Sequence, residues 1–161
     1  MDISLERFTE MHFLEYFKLV GNIEVMAMIT ECATPYNDAS RDFKKMLEDN
    51  AQNLALGCFR IVDSQQGHFI GLAKLVSVTE QPQTAELGYM LLPEFWGRGI
   101  GSLVAKLLIE KASNNSEIST LIAIIDPANL ASRKILTSNG FFSVEFRDFD
   151  GLPGEILQRA V

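Results

Sequence analysis

The run with the clearest chemical potential is Pro93-Glu94-Phe95-Trp96-Gly97-Arg98-Gly99-Ile100-Gly101-Ser102. Glycine stands at alternate positions 97, 99 and 101, and an amphipathic segment starts directly behind them. Glycines let successive N–H groups turn toward one point and let a ligand come close to the backbone. A helix start adds free N–H groups and the positive end of its dipole. With the Arg98 cation beside it, such a loop suits a phosphate or pyrophosphate. Two phosphate loops are excluded by spacing. The Lys-Ser/Thr of a P-loop is missing. The last glycine of Gly-x-Gly-x-x-Gly would fall on Ser102 counted from Gly97, or on Val104 counted from Gly99. A pyrophosphate loop of another kind and a ligand-free glycine turn both stay open.

Hydrophobic periodicity gives the elements that must carry this loop. Residues 3–8 alternate as a strand. Helices fit 10–20 behind Thr9, 23–30 behind Asn22, and 39–50, with a loop at 33–38. Strands at 54–62, 68–79 and 84–92 form a meander, its first turn at Asp63–Gly67. A helix fits 99–113, and the apolar run 120–125 is a strand buried on both faces. A helix over 129–138 stops at Gly140, and strands at 141–148 and 155–160 finish the chain. The early hairpin implies antiparallel pairing, and the strand–helix–strand unit 84–125 a parallel pair. The expected class is α/β (α+β), a mixed, mainly antiparallel central sheet of about seven strands flanked by about four helices. The whole of 1–161 reads as a single domain.

Composition narrows the partners. The chain has 161 residues, 47% hydrophobic and 22% charged, with a net charge of −7. An acidic chain lacks the Lys/Arg surface that nonspecific nucleic-acid binding requires and suits cationic partners better. No apolar run is long enough for a membrane span, and residues 1–7 have no signal-peptide core. Cys32 and Cys58 form no Cys-x-x-Cys pair, and only His12 and His68 could join them, so no metal site is expected. Reduced thiols fit a cytoplasmic location.

Two longer stretches carry a resemblance. Ala85-Glu86-Leu87-Gly88-Tyr89-Met90-Leu91-Leu92-Pro93-Glu94-Phe95-Trp96-Gly97-Arg98-Gly99-Ile100-Gly101-Ser102 and Asp126-Pro127-Ala128-Asn129-Leu130-Ala131-Ser132-Arg133-Lys134-Ile135-Leu136-Thr137-Ser138-Asn139-Gly140-Phe141 resemble the GNAT superfamily of acyl-CoA-dependent N-acetyltransferases. Gly99 and Gly101 fill the glycine places of the family loop Gln/Arg-x-x-Gly-x-Gly/Ala. Trp96 replaces the common Gln or Arg, as in the branch resembling ribosomal-protein N-terminal acetyltransferases. The second stretch looks like the family's Asn-x-x-Ser helix ending in Gly-Phe. The two motifs keep the family's order and spacing, and the element order fits nearly the whole chain.

The resemblance implies a GNAT-like acyl-CoA N-acyltransferase fold and an enzyme that moves acetyl from acetyl-CoA to a primary amine by direct attack in a ternary complex. It implies acetyl-CoA as cosubstrate, held by Met90, Leu91, Leu92, Trp96, Gly97, Arg98, Gly99, Ile100, Gly101, Ser102, Asn129 and Ser132. Glu86 takes the place of the base that strips the ammonium proton, with a solvated charge or an ammonium anchor as the other readings. The backbone N–H of Met90 would stabilise the oxyanion, and that of Leu92 would bond the pantetheine arm. The family's acidic Tyr falls on Leu136, which has no proton to give; the resemblance offers Ser132 as the alternative donor to the thiolate, with helix-start hydrogen bonding as its other reading, and a thiolate leaving without an acid stays open. Asn129 can cap its helix as well as touch the cosubstrate.

The acceptor would lie over the first helices and last hairpin. Glu24, Glu31, Asp38, Asp42, Glu48, Asp49, Glu145, Asp148, Asp150 and Glu155 could line it for a cationic amine, or could be plain solvated surface. Residues 1–80 carry seven bases against twelve acids and residues 81–161 seven against nine, so the half expected to hold the anionic cosubstrate is the less acidic. A noncatalytic acyl-CoA-binding sensor or partner-binding module is the alternative from a different class. Exposed strands in the C-terminal hairpin suggest a homodimer.

Overall fold

The computed structural model describes all residues 1–161. Its elements are β1 (Ile3–Arg7), α1 (Phe13–Val20), α2 (Ile23–Met26), α3 (Tyr36–Gln52), β2 (Gly57–Asp63), β3 (Phe69–Ser77), β4 (Thr84–Leu91), α4 (Ile100–Ser113), β5 (Thr120–Ile125), α5 (Leu130–Ser138), β6 (Phe142–Phe149) and β7 (Leu152–Ala160). The seven strands form one sheet in the order β1-β2-β3-β4-β5-β7-β6. Only β4 and β5 are parallel. No helix is long and apolar enough to cross a membrane.

The helices cover the sheet in two groups, and strand parity decides which core each side chain joins. α4 and α5 bury Ile100, Val104, Leu108 and Leu136 against Leu87, Leu91, Leu121 and Leu157. α1–α3 bury Tyr16, Leu19, Val25 and Phe43 against Leu72 and Leu92 on the other face, with Met90 packed alongside. Arg60 fastens α1 to this face. It is 8% exposed, and its guanidinium donates to both Glu15 oxygens at 2.7 Å and to Glu6 at 2.8 Å. The double partnering offsets the desolvation of the buried cation.

Sequence boundaries shift where capping outweighs periodicity. There are five helices, of which α2 is a single turn. The loop expected at 33–38 gives way at Tyr36, because Pro35 supplies the entry conformation at the helix start and Asp38 sits in the first turn. The strand expected from residue 54 begins at Gly57. Asn53 Oδ1 accepts from the N–H groups of Ala55 and Leu56, which turns the chain before Gly57 enters at φ +137°.

One irregularity makes room for a site. The parallel pairing of β4 with β5 runs from Thr84↔Thr120 to Glu86↔Ile122 and then stops. Beyond it the strands part, with residues 87–91 on one side and 123–125 on the other.

Candidate active site

The opening between β4 and β5 is a cleft of about 770 Å³. β4 contributes Gly88, Tyr89 and Met90, the glycine loop contributes Trp96, Gly97 and Gly99, and α5 contributes Asn129 and Ser132. Leu91, Ile100, Gly101 and Ser102 also line it, so the two motif stretches meet across one cavity. Arg98 lies over the Phe95 ring at 5.6 Å, and Leu92 is 8% exposed in the core beneath α1–α3.

The loop is built as a donor cradle. The six N–H groups from Gly97 to Ser102 donate to no backbone or side-chain acceptor of the protein, and the first bonded amide of α4 is Leu103, to Gly99 at 3.3 Å. Gly97 and Gly99 adopt φ +71° and +76°, and a Cβ on either would meet nothing within 4 Å. These two glycines are therefore demanded by backbone conformation, and the space beside them is open. Trp96 braces the loop, its indole N–H donating to the Leu91 carbonyl at 2.9 Å. Open space, unpartnered N–H groups and a helix N-terminus fit a pyrophosphate such as that of CoA.

Gly101 serves a different purpose. A Cβ there would stand 3.0 Å from Ile135 Cδ1 and 3.3 Å from the Tyr89 ring, so the glycine lets α4 approach α5 and β4. Gly101→Ala is expected to cost about 1–2 kcal/mol in denaturant unfolding through overpacking. An unchanged midpoint would show that the cleft wall is loose.

On β4, Glu86 and Gly88 face the α1–α3 side. The Glu86 carboxylate is 23% exposed and pairs with Lys74 Nζ at 2.9 Å. Lys74 stands opposite Gly88 in the β3–β4 register, and its Cε lies 3.3 Å from where a Cβ on Gly88 would be. Sequence reasoning missed this lysine, because a diagonal cross-strand partner is visible only once the register is known. The register also bears on the backbone donors. Val78 N–H bonds Thr84 O and Leu92 N–H bonds Ile70 O, at either end of an unshifted ladder. That parity turns the N–H groups of Met90 and Leu92 toward β3 and those of Tyr89 and Leu91 toward the opening.

Across the cleft Asn129 Oδ1 accepts from the Ser132 N–H at 3.1 Å and caps α5, which leaves the Ser132 hydroxyl free for other work. Tyr89 reaches over from β4 with its hydroxyl shut off from solvent and without an aligned hydrogen-bond partner. Burial pushes the phenol up. A buried hydroxyl left this way costs about 1–3 kcal/mol. Leu136 is 1% exposed in the core.

Four of the ten acids expected around an acceptor hold a cation elsewhere. Asp38 pairs with Arg41, Asp49 with Lys45 and Glu145 with Arg147. Glu155 is no surface acid. It is 0% exposed and bonds Arg133 at 2.5 Å, because its strand parity matches that of Leu157 on the α5 side. Of the ten, only Glu24 lines the cleft, beside Met28, Ile29 and Ile124. Burial pushes the Cys58 thiol up to about 11, so it is a packed neutral thiol and no nucleophile at neutral pH. No group of three His, Cys, Asp or Glu side chains could hold a metal ion.

Residues 2–142 match the Acetyltransferase (GNAT) domain family. The chain is 27% identical over 127 residues to a protein of Bacillus licheniformis named uncharacterized N-acetyltransferase p20, spanning 77% of this chain and 71% of that one. Among solved structures it is similar to a spermidine N-acetyltransferase from Vibrio cholerae in complex with CoA and spermine, at a TM-score of 0.82 and 16% identity over 98% of this chain and 95% of that one. A ribosomal-protein alpha-N-acetyltransferase, RimL, in complex with CoA is similar at a TM-score of 0.81 and 16% identity over 99% and 94%. With the family matched over most of its length and the fold shared, the chain belongs to the GNAT family of acyl-CoA-dependent acetyltransferases.

Proposed function

We propose that the chain transfers acetyl from acetyl-CoA to a cationic primary amine by direct attack. The carrying observation is the row of unpartnered N–H groups from Gly97 to Ser102, opening onto the cleft where β4 and β5 part. In this reading those N–H groups and Arg98 hold the pyrophosphate, and Trp96 and Asn129 border the pantetheine path. An N–H on the open edge of β4 stabilises the oxyanion. Ladder parity favours Leu91 or Tyr89 over Met90 for that task. Ser132 donates to the departing thiolate.

Glu86 receives the amine's proton or anchors its charge. The Lys74 ammonium paired with Glu86 supports a cation at this carboxylate. The acceptor enters past Glu24, with Met28, Ile29 and Ile124 offering apolar contact, so an amine on an aliphatic or peptide frame suits the mouth. The related structures named above include one with spermine bound and one named for a protein alpha-amine. They set the two acceptor classes to compare first. The free thiols Cys32 and Cys58 support a cytoplasmic setting, and the exposed edge strand β6 supports a homodimer.

Release of CoA is measured with a panel of polyamines, aminoglycosides and peptide N-termini, with CoA and acetyl-CoA binding followed by thermal shift. Binding should raise the melting temperature, and at least one amine should turn over. Glu86→Gln should then lower kcat about ten- to a hundredfold with little change in CoA affinity. No shift with either ligand overturns the proposal. Binding without turnover of any amine would favour a noncatalytic acyl-CoA-binding module, the reading to which Leu136 in the place of the family's Tyr lends weight.

A further inference from the structure

The cleft offers an acceptor apolar walls and little free charge. Met28 and Ile29, just past α2, and Ile124 of β5 line it, and each is between 38% and 44% exposed. Parity on β5 sends Leu121 and Ala123 into the core under α4 and α5. Ile124 therefore faces the other side of the sheet, the side of Glu86, whose partner on β5 is Ile122. Large apolar side chains grouped and exposed at an open cleft mark a binding surface. An aliphatic or aromatic frame gains by covering them, whereas an ammonium loses its water there without a partner.

The charged groups at the cleft are few. Glu24, Asp126 and Lys134 line it, and the Lys74–Glu86 pair flanks it where Lys74 Cε passes Gly88. Three acids against two bases leave one negative charge to balance. Lys74 already answers Glu86 at 2.9 Å, and Asp126 Oδ1 accepts from the Ala128 N–H at 2.8 Å. Glu24 stands exposed beside Met28 and Ile29, and an exposed carboxylate holds a distant ammonium weakly. The same cleft of about 770 Å³ must also take the pantetheine arm, so the acceptor's share of it is small.

We propose that the acceptor is a small primary amine with one positive charge on an apolar frame, an alkylamine or arylalkylamine, and that a second ammonium is selected against. The inference rests on the acetyl-CoA reading given above and names its substrate class. The amine lies with its nitrogen toward Glu86 and its frame against Met28, Ile29 and Ile124. The nitrogen gives a proton to Glu86 and solvent and bonds the acetyl carbon. The carbon–sulfur bond breaks, and its electron pair stays on sulfur. Lys74 sharpens the selection, since its ammonium repels a further cation near Glu86.

The test compares hexylamine with hexamethylenediamine, which match in length and in the basicity of the reacting nitrogen and differ by one distant charge. Phenethylamine, spermidine and a short peptide with an apolar amino-terminal residue complete the panel. CoA release gives kcat/KM for each, and thermal shift with acetyl-CoA is read in parallel. The two monoamines should exceed the diamine and spermidine by at least about tenfold in kcat/KM, chiefly through KM. Ile124→Glu puts an acid on an exposed wall position and should narrow or reverse that ratio. Lys74→Met should narrow it too, by removing the repelling cation. Equal or better turnover of the diamine or spermidine overturns the proposal, and loss of that advantage in Glu24→Gln would place the far ammonium on Glu24. A peptide that exceeds both monoamines also overturns it, because the mouth would then be built for a chain terminus. So does a ratio that neither Ile124→Glu nor Lys74→Met moves. No thermal shift with acetyl-CoA, or no turnover of any amine, would overturn the acetyl-transfer reading itself and the proposal with it, and the shift and the total CoA release report this apart from the ratio.

Discussion

Gly99→Glu is expected to weaken CoA binding at least about a hundredfold, a loss of roughly 2.7 kcal/mol or more. Three effects act in the same direction. Gly99 sits at φ +76°, where an L side chain costs about 1–2 kcal/mol, so the loop would drift from its shape. The new carboxylate would grow into the open space beside the N–H row and could accept from the amides that must serve the ligand. Its charge would also repel a pyrophosphate at close range in a partly dry cleft. Because a Cβ there meets nothing within 4 Å, the fold should tolerate the change, with the apoprotein melting only a few degrees lower. Gly99→Ala separates the causes, since it carries the strain without the charge and should cost far less affinity. Calorimetric titration with CoA reads both variants. An affinity for Gly99→Glu within about threefold of wild type would remove the loop from the ligand site.

The legibility of this loop in the sequence has a physical basis. Alternating glycines before a 3.6-residue apolar period mark a turn whose shape the backbone determines, as the positive φ of Gly97 and Gly99 bears out, and backbone constraints are local. The same holds for β5, whose apolar run has no polar face to confuse it, and for Glu86, Gly88 and Met90, whose shared face follows from strand parity alone. What could not be read depends on register and on packing between distant segments. Lys74 reaches Glu86 only because β3 places it opposite Gly88. The Tyr89 ring and Ile135 close on α4 only because position 101 carries no side chain. Glu155 follows Gly154 in a tail rich in acids and reads as solvated, yet strand parity sends it inward with Leu157. The acceptor surface was drawn from charge counts, and charge counts do not say which acids already have partners.

Glu155 supports the second large effect. Its carboxylate is wholly buried, Oε1 is held by Arg133, and Oε2 has no hydrogen-bond partner. Arg133 is 36% exposed and follows Ser132 directly on α5, so the pair ties the first turns of that helix to β7. Arg133→Ala removes the one cation from an acid that cannot reach water. Stranding a buried charge costs about 3–5 kcal/mol, and for a domain of this size that means a melting temperature lower by roughly 10 °C. Replacing both partners by apolar residues need not be costly, because the desolvation of the pair disappears together with its attraction. Arg133→Ala combined with Glu155→Leu should therefore recover most of the loss, although each change alone is damaging. Denaturant unfolding of the two single variants and the double variant measures the coupling. Near-additive losses, or an Arg133→Ala variant within about 1 kcal/mol of wild type, would mean the acid finds another partner when the arginine goes. The pair also bears on chemistry, since Asn129 and Ser132 ride on the segment it fastens. Where Arg133→Ala still folds at working temperature, the proposed site predicts that kcat falls more than CoA affinity, because the N–H row before α4 keeps its own support while Asn129 and Ser132 lose theirs.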